Sequence, residues 1–100
     1  MIIEAEQALH AFAKHAGDFG VAARPNIPNF GTFLAALKSH VDDPSTVPIA
    51  GTYRNTIPAI HYYNATSGLW LCTNRSGSFI AGWRLHPSQV NDLLTNGNVR

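Results

Sequence analysis

VPIAGTYRNTIPAIHYYNATSGLWLCTNRSGSFIAGWRL, residues 47–85, breaks into four short runs rich in β-branched and aromatic residues. They are VPIAGTYR (47–54), TIPAIHYYN (56–64), LWLCTN (69–74) and SFIAGWRL (78–85). Asn55, Thr66-Ser67-Gly68 and Asn74-Arg75-Ser76-Gly77 separate them, the chemistry of tight turns. Gaps this short predict antiparallel neighbours, because a parallel pair needs a longer crossover. Pro58 removes a donor from the second run, which places it at an edge or a bulge.

Outward from these strands the period changes. Upstream, residues 3–16 read as a helix with Ala5, Leu9, Phe12 and Ala16 as its apolar stripe, and Gly17 and Gly20 release the chain from helical geometry. AARPNIPN (22–29) predicts a loop. A second helix is predicted from Phe30 to Val41, capped by Asn29, with Phe30, Phe33, Leu34, Leu37 and Val41 inward. Downstream, HPSQVNDLLTNGN predicts a closing helix, with Pro87 in its first turn, Val90, Leu93 and Leu94 inward, and Gly97 as its stop. The expectation is a single α+β domain over residues 1–100: two N-terminal helices, a four-stranded antiparallel sheet and a short C-terminal helix.

Composition fits that expectation. Of 100 residues, 45% are apolar and 13% charged, a core-forming balance rather than a disordered one. No apolar run approaches the ~20 residues of a membrane span. MIIEAEQ carries acids where a secretory signal places positive charge, so no signal peptide is expected in this stretch. The single cysteine, Cys72, cannot form an internal disulfide and is expected in a strand core.

Net charge is only +1, but it is unevenly placed. Glu4, Glu6, Asp18, Asp42, Asp43 and Asp92 are the only acids, and the interval from Asp43 to Asp92 holds Arg54, Arg75, Arg84, His61 and His86. That interval is either a face for a polyanion or a neutral sheet with scattered surface arginines. Five histidines are present, yet His10 and His15 are five apart and read as lying on different helix faces, and His61 and His86 have no acidic neighbour in sequence. A metal centre is therefore disfavoured. Serine elbows, phosphate-binding glycine loops and paired catalytic carboxylates are also missing.

What remains is a cationic and aromatic set: Lys14, His15, Arg54, His61 and Arg84, with Tyr53, Tyr62, Trp70 and Trp83. Metal-free RNA cleavage uses such groups. The substrate's 2′-hydroxyl is the nucleophile, an imidazole moves protons near neutral pH, and cations hold the charge growing on phosphate. Exposed rings stack unpaired bases for about 1–3 kcal/mol each. By composition alone the bland reading competes: surface histidines and core aromatics.

Lys14-His15-Ala16-Gly17-Asp18-Phe19-Gly20-Val21 resembles the KHAxDFG motif of colicin D-type nuclease domains. Gly51-Thr52-Tyr53-Arg54, His61-Tyr62-Tyr63-Asn64, Gly77-Ser78-Phe79-Ile80, Gly82-Trp83-Arg84-Leu85 and Pro87-Ser88-Gln89 follow in the order of that family. The resemblance runs from about residue 9 to 97. It implies a bacterial toxin domain delivered into a target cell's cytoplasm, monomeric apart from its immunity protein. The domain would cut tRNA in the anticodon loop, with arginine acceptors the family-based choice. No metal or cofactor would be needed, and the products would be a 2′,3′-cyclic phosphate and a 5′-hydroxyl.

The resemblance places catalytic roles on His15, Lys14 and Trp83. Tyr53, Arg54, His61, Arg84 and the position of Ala81 are the candidate substrate contacts, with Arg54 and Arg84 as phosphate clamps. Each has a plainer alternative: His15 as a helix-end cation, Lys14 as a solvated side chain, Trp83 as core, the arginines as surface charge. Asp18 is read as a local cap or turn residue. Two departures matter. Ala81 stands where the family pattern has a serine, and Ala11-Phe12-Ala13 is uncharged where the pattern is more basic, which would leave tRNA affinity to Arg24, Lys38 and the sheet arginines. A transition-state donor is worth about 3 kcal/mol, or about 100-fold in rate. The sequence therefore also admits a degenerate domain that binds RNA or an immunity-type partner without cutting, and a broader single-strand ribonuclease.

Overall fold

The four runs form β1 (Val47–Tyr53), β2 (Ile57–Tyr63), β3 (Leu69–Thr73) and β4 (Phe79–Arg84), an antiparallel meander, in a computed structural model that describes residues 1–100. Pro58 pairs in register with Thr52, whose own N–H donates instead to Gly97 O at 2.8 Å. β3 reaches only as far as Ile60, so Pro58 sits at a local edge and no ladder bond is lost.

The expected count of four strands is corrected by a fifth, β5 (Asn98–Val99), which runs parallel to β1 and gives the order β4-β3-β2-β1-β5. Two residues are too few to show a strand period. What admits them is a close approach of backbones: a Cβ on Gly51 would lie 1.9 Å from Gly97 O, so only glycine fits there.

Helices cover both faces. α1 (Ala5–His15) and α2 (Ile27–Asp42) pack on one face through Ala11, Phe12, Phe33 and Leu37, with Ala16 just beyond α1, against Leu71 and Phe79. α3 (Pro87–Asn96) covers the other through Leu93, against Tyr53, Tyr63, Trp70, Cys72 and Val99. Alternation along β3 sends Leu71 to the first core and Trp70 and Cys72 to the second. Burial pushes the Cys72 thiol up to about 12, which leaves it unreactive.

The helices differ from expectation in three details. α1 turns Ala8, Ala11 and Phe12 inward and leaves Leu9 53% exposed, because small alanines let the helix lie close to the sheet. α2 begins at Ile27, capped by Asn26, whose side chain accepts from Asn29 N at 2.8 Å, and Pro28 suits a first turn whose N–H groups lack helical partners. In α3, Leu93 is buried but Leu94 is exposed. A capping box joins His86 and Gln89, and Gly97, at φ 67°, ends the helix.

His61 is fully buried, which corrects its expected place as a substrate contact. It shares the inward-facing side of β2 with Ala59 and Tyr63, and both ring nitrogens are used. Trp70 Nε1 donates to Nδ1 at 3.0 Å, and an indole N–H only donates, so the ring's proton is on Nε2 and goes to Gly97 O at 3.0 Å. Buried His40 likewise donates from Nε2 to Tyr62 O at 2.8 Å.

Burial lowers both imidazole pKa values from 6.5. The unfolded chain therefore binds protons that the folded chain refuses. Stability is complete above about pH 6.5 and falls as pH drops below it, by up to about 1.4 kcal/mol per unit for each ring. Urea unfolding at about pH 7.5 and about pH 5 checks this; equal stabilities would contradict it.

Candidate active site

The sheet curls until Tyr53 at the end of β1 stands 6.4 Å, between ring centroids, from Trp83 on β4, although β2 and β3 lie between them in the sheet. The curl opens a cleft of roughly 300 Å³ between α1, β4 and the β1–β2 hairpin. Gln7, His10, Lys14 and His15 line it from α1, Ala81 and Trp83 from β4, and Tyr53 and Arg54 from the hairpin. Six of the sequence-stated candidates thus meet at one place: Lys14, His15, Tyr53, Arg54, Ala81 and Trp83.

His15 ends α1 where the chain tightens into a 3-10 turn, Ala16–Phe19. Its ring lies 5.2 Å from the Trp83 ring, and its side chain is 29% exposed. Partial burial holds its pKa below the ordinary value of 6.5, outweighing the pull of Asp18, while the positive charges of Lys14 and His10 push the same way as burial. An imidazole so placed is neutral near pH 7 and free to accept a proton.

Asp18 does more than end the turn. Its Oδ2 lies 3.6 Å from His15 Nδ1, an electrostatic contact longer than a formed hydrogen bond, and accepts from Arg84 N at 3.1 Å. That leaves Nε2 as the nitrogen available for chemistry.

Arg84 itself does not line the cleft, which corrects its expected place as a phosphate clamp. Alternation turns it to the opposite side of β4 from Trp83. There its guanidinium donates to Ser67 O and Asp18 O, each at 3.3 Å. Its position serves the turn that carries Asp18.

Arg54 sits in the left-handed region at φ 51°, followed by Asn55 at φ 66°, an uncommon conformation for non-glycine residues. Buried Asn98 holds that turn: its Oδ1 accepts from Asn55 N and Thr52 Oγ1, each at 2.9 Å, and its Nδ2 donates to Asn55 Oδ1 at 2.9 Å and Asp92 Oδ2 at 3.1 Å. Arg54 N donates to Val99 O at 2.7 Å. The guanidinium is thereby placed over the Tyr53 ring, 5.2 Å from its centroid, at the mouth of the cleft.

Trp83 is half-buried. Trp70 supports it edge to face at 4.6 Å between centroids, and its Nε1 donates to Gln89 Oε1 at 3.3 Å. One ring therefore serves both as core and as cleft wall. The sequence reading missed His10, Gln7 and Asn98. For His10 a signal existed, since it precedes Lys14 by four residues and shares its helix face. Asn98 gave none, because its partners are set by β5.

No group of three or more His, Cys, Asp or Glu side chains is placed to hold a metal ion. The arrangement offers two imidazoles, His10 and the neutral His15, two cations and an aromatic wall, equipment for moving a proton beside an anion.

A family model described as Colicin D matches residues 7–93. The curated protein Colicin-D of Escherichia coli is 33% identical over an aligned stretch of 82 residues, with coverage of 81% of this chain and 12% of that protein. A solved structure described as a ribonuclease from Escherichia coli complexed with its inhibitor protein is similar in fold, with a TM-score of 0.76, 31% identity, and coverage of 87% of this chain and 95% of that one.

Proposed function

The chain belongs to the colicin D family, and from that premise we propose that it is a toxin's ribonuclease unit that cuts tRNA in the anticodon loop without a metal. One observation carries the reading: His15, Lys14, Arg54 and Trp83, drawn from three separate elements, line a single open cleft. The similar solved structure is a ribonuclease, which supports RNA as the substrate class.

In the proposed reaction His15 Nε2 accepts the proton of a substrate 2′-hydroxyl, whose oxygen attacks the adjacent phosphorus. Lys14 and Arg54 hold the charge that grows on the non-bridging oxygens. Trp83, half-buried at the cleft, gives a flat wall for an unpaired base, which an anticodon loop presents and a duplex does not. Tyr53, 4% exposed, corrects its expected place as a substrate contact and instead seats Arg54 from beneath. The P–O5′ bond breaks, leaving a 2′,3′-cyclic phosphate and a 5′-hydroxyl. An inhibitor accompanies the similar ribonuclease, and an immunity protein covering this cleft is the corresponding partner proposed here, with action in the cytoplasm of the target cell. No helix is long and apolar enough to cross a membrane.

Incubation with total tRNA in chelator, followed by mapping of fragment ends, tests the reading. Discrete anticodon-loop cuts support it, scattered cuts favour a broader single-strand ribonuclease, and intact tRNA contradicts it. Ala81 favours a second reading, a weakened domain that binds without cutting, because its side chain faces the cleft with no hydroxyl. Ala81→Ser is therefore expected to raise the single-turnover cleavage rate by up to about 100-fold. An unchanged rate would place residue 81 away from the reacting phosphate.

A further inference from the structure

Transesterification moves two protons. In an in-line displacement the entering 2′-oxygen and the departing 5′-oxygen stand on opposite sides of phosphorus. His15 removes the first proton from the entering side, and a second group is needed on the leaving side. Lys14 is already assigned to the charge that grows on the phosphate, which leaves the place of the proton donor open.

Three of the five histidines are already engaged: His40 and His61 with backbone carbonyls, and His86 in the cap of α3. The other two, His10 and His15, both line the cleft. His10 is exposed and its ring makes no hydrogen bond to the protein, so its proton is free for a ligand. It stands one helical turn before Lys14 on the same face of α1, which sets it apart from His15 along the cleft rather than beside it. Its field reaches His15. The titratable groups around it are Glu4 and Glu6 at the start of α1, Lys14 and His15 at its end, and Tyr53 and Arg54 across the cleft; β4 contributes only Ile80, Ala81, Gly82 and Trp83.

We propose that His10 is a second catalytic residue, donating a proton to the departing 5′-oxygen while His15 removes the 2′-proton. The proposal rests on the ribonuclease reading above. The balance closes: the 2′-O–P bond forms, the P–O5′ bond breaks, one proton goes to His15 Nε2 and one leaves His10 for the 5′-oxygen. Ala11, Phe12 and Ala13 carry no charge, so upstream of Lys14 His10 is the titratable side chain that α1 brings to the wall.

The test compares wild type, His10→Gln and His15→Ala on two synthetic anticodon stem-loops carrying the mapped cut site, one with the normal 5′-oxygen and one with sulfur in its place. A departing thiolate needs no proton. His10→Gln is expected to cleave the oxygen substrate about 100-fold more slowly than wild type and the sulfur substrate at nearly the wild-type rate, while His15→Ala is slow on both. His10→Gln matching wild type on the oxygen substrate, or equally slow on both, overturns the proposal. Failure of wild type on both substrates instead brings down the ribonuclease reading, and this proposal with it. Because His10 is exposed and unbonded, the variant's circular dichroism and thermal midpoint are expected to match wild type.

Discussion

Replacing His15 by alanine is expected to slow tRNA cleavage by about 10³-fold in single-turnover experiments, within the range of proton-transfer catalysis. The ring stands where the end of α1, Asp18 and Trp83 converge, and partial burial keeps it neutral. The side chain is 29% exposed and its contact with Asp18 is a long one at 3.6 Å, so its loss leaves the core intact. The expected signature is a fall in rate with the thermal midpoint and tRNA affinity nearly unchanged, because Lys14 and Arg54 still attract phosphate. Retention of more than about a tenth of the wild-type rate would remove His15 from the chemistry.

Trp70→Ala is the second large effect, and it acts on the fold. Trp70 is fully buried, pairs with Trp83 across β3 and β4, meets Tyr53 at 5.9 Å between centroids, and supplies the N–H that fixes His61. Truncation opens a cavity costing about 3–5 kcal/mol and leaves His61 Nδ1 without its donor. Against a typical total of about 5–15 kcal/mol, the variant is expected to be partly unfolded at physiological temperature. Denaturant unfolding checks this. A loss below about 1 kcal/mol would show that the second core does not depend on Trp70.

The meander was legible because β-branched and aromatic runs alternate with turn residues at every junction from Val47 to Leu85. β5 was not, since Asn98 and Val99 are too short a run to show a period and pair with β1 where Gly51 and Gly97 let the backbones approach, which no local pattern announces. On α1 hydrophobic size misled: Leu9 is the larger side chain, yet Ala8 and Ala11 are the ones that are buried. The same limit applies to the site. Sequence spacing shows that neighbouring strand residues face opposite sides but not which side is wet, so His61 and Arg84 read as cleft residues when one is sealed and the other braces Asp18. His10 and His15 read as lying on different faces of a straight helix, whereas the curled sheet forms a cleft that reaches both.

An anticodon stem-loop with a single 2′-deoxynucleotide at the mapped cut, incubated with the protein in chelator beside the all-ribose form, asks most directly whether the RNA supplies its own nucleophile. The arrangement of His15, Lys14 and Arg54 predicts that the ribose form is cut to a cyclic phosphate and that the deoxy form stays whole at that bond. Cleavage of the deoxy form at the same bond would mean that water or a protein group attacks the phosphorus, contrary to the role assigned to His15.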